Sequence, residues 1–111
     1  MNSAETLKLN KDFKRLYYRG ESIVTRSVVL YVQKNRFGTN RLGLTCGKTV
    51  GKANKRNRAK RLMRESYRLL SPNLLKGYDI VIIARTRILG KTCSEVMGDI
   101  RYAFSKLGMI K

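Results

Sequence analysis

The chain has 111 residues, enough for one domain with a modest core. Lys and Arg total 25 against 7 Asp and Glu, giving a formal charge of +18, with no histidine. A compact chain at that charge repels itself and is relieved by a polyanion, so nucleic acid is the first partner to consider and an anionic membrane surface the second. The longest clean apolar run, Ile80 to Ala84, is far short of a membrane-spanning segment. Met1 to Leu9 has no apolar signal core, so export is not expected and a cytoplasmic location is. Cys46 and Cys93 are widely separated and are expected to be reduced thiols; without His or a Cys cluster, a structural zinc site is all but excluded.

No linker, repeat or low-complexity tail interrupts the chain, and one domain over residues 1–111 is expected. Asn10 can cap a first helix whose Phe13, Leu16 and Tyr17 share a face, and Gly20 can end it. Ile23 to Thr25 reads as a short strand. Ser27 to Gln33 reads as a better one, with Val28, Leu30 and Val32 alternating with Val29, Tyr31 and Gln33. Phe37 to Asn40 is a turn. Arg41 to Lys48 is a third strand with Leu42, Leu44 and Cys46 on one face and Gly43, Thr45 and Gly47 on the other.

Ala53 to Leu70 is the clearest helix, stopped by Ser71, Pro72 and Asn73. Tyr78 to Arg85 is a strand whose Ile80–Ile83 run implies burial on both faces and a central position. Thr92 and Glu95 have capping-box spacing before a last helix with a stripe of Val96, Ile100, Ala103, Phe104 and Leu107. The expected fold is α+β, with three helices on a single, mostly antiparallel four-stranded sheet in the order α-β-β-β-α-β-α.

Between Lys48 and Arg68 stand Lys48, Lys52, Lys55, Arg56, Arg58, Lys60, Arg61, Arg64 and Arg68, against the single acid Glu65. At about 100° per residue, Ala59, Leu62, Met63, Ser66, Leu69 and Leu70 gather on one side of the helix. Arg56, Asn57, Lys60, Arg61, Arg64 and Arg68 gather on the other. An ordinary solvated face mixes charge signs to form i, i+4 pairs, whereas this one stacks like charges at a cost of a few tenths of a kcal/mol each. Phosphate binding accounts for that pattern, and the guanidinium fork suits phosphates and bases in an irregular RNA fold.

Other motifs carry less. Gly47-Lys48-Thr49 would fit a phosphate loop only with glycine at position 42, which is Leu42. Phe13, Tyr17 and Tyr31 fit either core packing or stacking on unpaired bases. Hydrolysis by the side chains is not expected. A metal-dependent nuclease needs converging carboxylates, and Glu5, Asp12, Glu21, Glu65, Asp79, Glu95 and Asp99 are scattered in the sequence. A metal-free ribonuclease usually needs a histidine base.

The run from Val50 to Arg64, with Arg56-Asn57-Arg58-Ala59-Lys60-Arg61 at its centre, resembles the signature of the bacterial ribonuclease P protein subunit. Asp12-Phe13 with Tyr17, Val29-Leu30-Tyr31, Leu42-Gly43-Leu44 and Asp79 to Arg85 extend the resemblance over nearly the whole chain. It implies a protein without catalytic side chains that joins a catalytic RNA. That RNA holds magnesium and removes the 5′ leader of precursor tRNA, and the protein alone binds no cofactor. The resemblance places Arg56, Asn57, Arg58, Lys60, Arg61, Arg64 and Arg68 against the catalytic RNA. It places Phe13, Tyr17, Tyr31, Lys48, Lys52 and Arg85 around the leader. It also implies a left-handed β-α-β crossover, against the usual rule. Neither a membrane nor an obligate protein partner is implied. Ala59, Thr49 and Thr86 depart from the family pattern, which prefers a larger aliphatic residue at the first and lysine at the others. The alternative is a ribosomal or other structural RNA-binding protein, which would share the basic helix but need no leader cleft; a self-sufficient nuclease comes third.

Overall fold

A computed structural model describes residues 5–7 and 10–111. Most of the Met1 to Leu9 stretch, and the side chain of Glu5 among the carboxylates, lie outside them. The strands are β1 (Glu5–Thr6), β2 (Glu21–Val24), β3 (Val28–Lys34), β4 (Arg41–Thr45) and β5 (Tyr78–Ala84). The helices are α1 (Asn10–Arg19), α2 (Ala53–Leu70) and α3 (Cys93–Lys106). The expected four strands and three helices are present in the expected order, and the two-residue β1 adds a parallel edge to β4. Across the sheet the order is β1-β4-β5-β3-β2. β5 pairs parallel with β4, to which it is joined through α2, and antiparallel with β3, which pairs antiparallel with β2.

Strand alternation divides the core between the two sheet faces. On one face Val28, Leu30, Val32, Ile80 and Ile82 meet Ala59, Met63, Tyr67 and Leu70 of α2 and Val96, Ile100, Ala103 and Phe104 of α3. On the other, Val81 meets Leu7 and Leu16, with Phe13, Tyr31 and Ile83 partly buried around them. β5 is central and covered on both faces, as its apolar run predicts. The capping box forms: the Thr92 amide donates to Glu95 Oε1 at 2.9 Å, and the Glu95 amide donates to Thr92 Oγ1 at 3.2 Å.

Two details differ from expectation, while Gly20 ends α1 as expected. β4 stops at Thr45 because Lys48–Val50 winds into a 3-10 turn that buries Val50 in the core. Gly20 ends α1 by close approach: a Cβ there would sit 2.6 Å from the Leu16 carbonyl oxygen and 2.9 Å from that of Val32. The buried stripe of α2 is Ala59, Met63, Ser66, Tyr67 and Leu70, turned toward Tyr67, while Leu69 is 46% exposed.

Candidate nucleic-acid interface

That turn of α2 decides which of its cations meet solvent. Arg56 and Lys60 fall on the Tyr67 side of the helix and are half-buried, whereas Asn57, Arg58, Arg61, Arg64 and Arg68 are exposed. The exposed ridge is therefore narrower than the sequence arc that included Arg56 and Lys60. Arg56 Nε is buried with no hydrogen-bond partner, and both Arg56 and Lys60 act electrostatically on Cys46. Burial pushes the Cys46 thiol up despite those two cations, which keeps it protonated rather than a reactive thiolate. Cys46 and Cys93 are both free. Arg68 grips Glu65 from one turn away, Nε to Oε1 at 3.1 Å with a second contact through Nη2. That hydrogen bond holds the Glu65 carboxyl below its ordinary range and raises Arg68.

A second surface lies on the α1 face of the sheet. Gly43, Val81 and Tyr31 are aligned in one row across β4, β5 and β3. α1 crosses the strands along this row. Phe13 sits over Gly43, where a Cβ would come within 2.8 Å of two ring carbons. Tyr17 meets Tyr31 edge to face, with centroids 5.1 Å apart. Leu16 points into the sheet and is fully buried. The opposite flank of α1 carries Asp12, 2.6 Å from Arg15 and 3.8 Å from Arg41.

The next row, Thr45, Ile83 and Val29, is only partly covered, and Val24 beside it is 61% exposed. The aromatic flank of α1 and this half-open apolar floor make a shallow cleft. Phe13, Tyr17 and Tyr31 are brought together there, with Tyr17 42% exposed.

The parallel strands β4 and β5 end at one edge of this floor. Exposed Lys48 opens the 3-10 turn after β4, and exposed Lys52 stands just before α2 with no side-chain capping bond. Arg85 follows β5, and its Nη1 donates to the Thr25 carbonyl at 2.6 Å, so the guanidinium leans toward the β2–β3 hairpin. Sequence alone did not reveal the floor residues Val24, Val29, Thr45 and Ile83; once strand register is known, their shared parity identifies them.

The scattered acids are also partly gathered. Asp79 takes two hydrogen bonds from Arg41, at 2.8 and 2.7 Å, and Asp12 reaches the same guanidinium. Both carboxylates are therefore engaged by a cation. Among the described residues no group of three or more His, Cys, Asp or Glu could hold a metal ion.

A family model described as Ribonuclease P matches residues 1–108. The chain belongs to the ribonuclease P protein family. A relative from Clostridium acetobutylicum named "Ribonuclease P protein component" is 46% identical over 106 residues, spanning 94% of this chain and 89% of that one. Among solved structures, the Staphylococcus aureus RNase P protein superposes with a TM-score of 0.87 at 29% identity, covering 97% of this chain and 99% of the other. A mutant of the Staphylococcus aureus protein "with defective mRNA degradation activity" gives a TM-score of 0.86 at 29% identity, over 95% of this chain and 89% of that one.

Proposed function

We propose that this chain is the protein subunit of ribonuclease P, acting as a single RNA-binding domain in the cytoplasm with no obligate protein partner. It binds the catalytic RNA through the exposed ridge of α2 and receives the 5′ leader of precursor tRNA in the cleft beside α1. Magnesium held by the RNA supplies the hydrolytic chemistry. The residues of this chain bind and orient: Arg58, Arg61, Arg64 and Asn57 meet phosphates and base edges, with Arg56, Lys60 and Arg68 at the margins of the ridge. Phe13, Tyr17 and Tyr31 offer stacking surfaces for leader bases of any sequence, and Lys48, Lys52 and Arg85 meet the leader phosphates.

The observation that carries this reading is the second surface. A structural RNA-binding protein needs the cationic ridge alone. Here an aromatic helix flank also faces a half-open sheet, with cations at its rim. That arrangement suits a single strand better than a duplex.

The test is reconstitution. Purified protein with magnesium should leave precursor tRNA intact. Adding the catalytic RNA should give cleavage at the mature 5′ end, at lower magnesium than the RNA alone requires. A messenger RNA belongs in the same assay, because one related structure is described through lost mRNA degradation. Cutting of either substrate by protein freed of contaminating RNA would overturn the division of labour.

A further inference from the structure

On the far flank of α1 from the aromatic cleft, the β3–β4 loop displays Phe37 with 60% of its surface exposed. Hydrogen bonds brace the loop that carries the ring. Asn35 Nδ2 donates to the Thr39 carbonyl at 3.1 Å and to Asp79 Oδ1 at 2.9 Å, and the Phe37 amide donates to Asn35 Oδ1 at 2.9 Å. Gly38, with φ of 75°, makes the turn in the left-handed region that other residues rarely adopt. One face of the Phe37 ring is covered by Arg41, whose guanidinium carbon lies 4.3 Å from the ring centroid. Arg41 is itself anchored on Asp79 and Asp12.

Around the ring lies an open depression lined by Arg15, Gln33, Lys34, Asn35, Arg36 and Phe37. Lys34 and Arg36 are exposed, and neither has an acid within ion-pair distance among the described residues. An exposed aromatic side chain on a mobile loop would need no ligand to explain it. Here the loop is braced before anything binds, so the ordering cost of presenting the ring is already met by folding. Free cations beside an aromatic face match the two chemistries of a nucleotide, an anionic phosphate and a flat base.

We propose that Phe37, with Lys34 and Arg36, forms a further site for an unpaired RNA nucleotide, the base stacking on the ring and the phosphate meeting the cations. The site rests on the reading of this chain as an RNA-binding subunit but is separate from both surfaces assigned above. It stands at the end of the sheet where β4 and β5 begin, roughly 20 Å along β5 from the edge carrying Lys48 and Arg85. α1 lies between it and the cleft. The nucleotide is supplied by the catalytic RNA or by the precursor, and the two sources are separable by experiment.

The experiment compares Phe37→Ala and Phe37→Tyr with wild type in the reconstituted holoenzyme. Three affinities are measured: protein for catalytic RNA, holoenzyme for precursor tRNA, and holoenzyme for mature tRNA. Phe37→Ala should lower one of them roughly 5- to 150-fold, the range for losing one stacked base, and Phe37→Tyr should restore it. Loss in the first affinity assigns the nucleotide to the catalytic RNA; loss for precursor, with assembly intact, assigns it to the substrate. The melting temperature should be unchanged, since the ring is mainly exposed. Three wild-type affinities would overturn the site, as would a loss that tyrosine fails to rescue. Arg64→Ala and Phe13→Ala run alongside: if they lose affinity while Phe37→Ala does not, this site alone fails. If all three behave as wild type, the RNA-binding reading itself fails.

Discussion

The ring of Phe13 rests on the bare Cα of Gly43, and no side chain fits between them: a Cβ would stand 2.8 Å from ring atoms Cε1 and Cζ. Gly43 thus sets the height of Phe13 over the sheet. Gly43→Ala should push the ring out of line with Tyr17 and Tyr31 while leaving α2 untouched. Affinity of the holoenzyme for precursor tRNA should fall, with assembly on the catalytic RNA unchanged. Wild-type precursor binding by Gly43→Ala, in titrations where Phe13→Ala loses affinity, would show that ring placement is not what matters.

The two kinds of arginine on α2 should respond differently to truncation. Arg61 and Arg64 are exposed, so Arg61→Ala or Arg64→Ala should weaken binding to the catalytic RNA without changing the melting temperature. A well-placed charge-assisted contact is worth about 1.5–3 kcal/mol. The slope of log affinity against log salt should become shallower by a little under one unit per lost phosphate contact. Arg56 is half-buried beside Cys46, so Arg56→Ala should also lower the melting temperature through lost packing of its stem. Equal melting temperatures for all three variants would contradict the rotated α2 face.

Glu65 is the one acid on α2, and it occupies Arg68. Glu65→Gln removes a negative charge from the docking ridge and frees a guanidinium. Binding to the catalytic RNA should tighten and its salt dependence should steepen. Surface pairs of this kind contribute little to folding, so the melting curve should barely move. Weaker RNA binding by Glu65→Gln would mean that the pair positions Arg68 rather than competing for it.

The α3 capping box predicts an acid-sensitive element of stability. The hydrogen bond from the Thr92 amide holds the Glu95 carboxyl below its ordinary range. A carboxyl lowered on folding contributes stability that is present above its unfolded value, about 4.3, and lost as the pH falls through its folded value. Glu95→Gln should therefore melt below wild type at neutral pH, and the gap should close at pH values under the glutamate range. A gap independent of pH would assign the effect to something other than the carboxylate.

Local features were readable from the sequence because local residues determine them. The span Ala53 to Leu70, the capping box at Thr92 and Glu95, and the central position of the Ile80–Ile83 run are set by helix periodicity, cap chemistry and hydrophobicity within a few neighbours. The facing of α2 was only partly readable. Apolar periodicity takes in Leu69 and omits Tyr67, which places the stripe too far to one side, because Tyr67 packs into a core shared with Phe104 of α3, 37 residues further on. The bridge from Arg41 to Asp12 and Asp79, the seat of Phe13 on Gly43 and the partly covered row Thr45–Ile83–Val29 all depend on strand register. No single stretch of sequence carries that register. The leader cleft became an expectation only through resemblance, and for the same reason: its parts come from α1, β3, β4 and β5.

The central claim is that Phe13 and its neighbours bind the leader of a precursor rather than merely fill a core. The most direct measurement is the affinity of the holoenzyme for precursor and for mature tRNA, with wild type and with Phe13→Ala, beside melting curves of both proteins. The account predicts that wild type favours the precursor. Phe13→Ala should lose about 1–3 kcal/mol of precursor binding, one stacked base, while mature tRNA binding and the melting temperature stay close to wild type. Equal losses for both ligands, with a fall in stability of about 3–5 kcal/mol as for a core Phe→Ala, would contradict it and make Phe13 a packing residue.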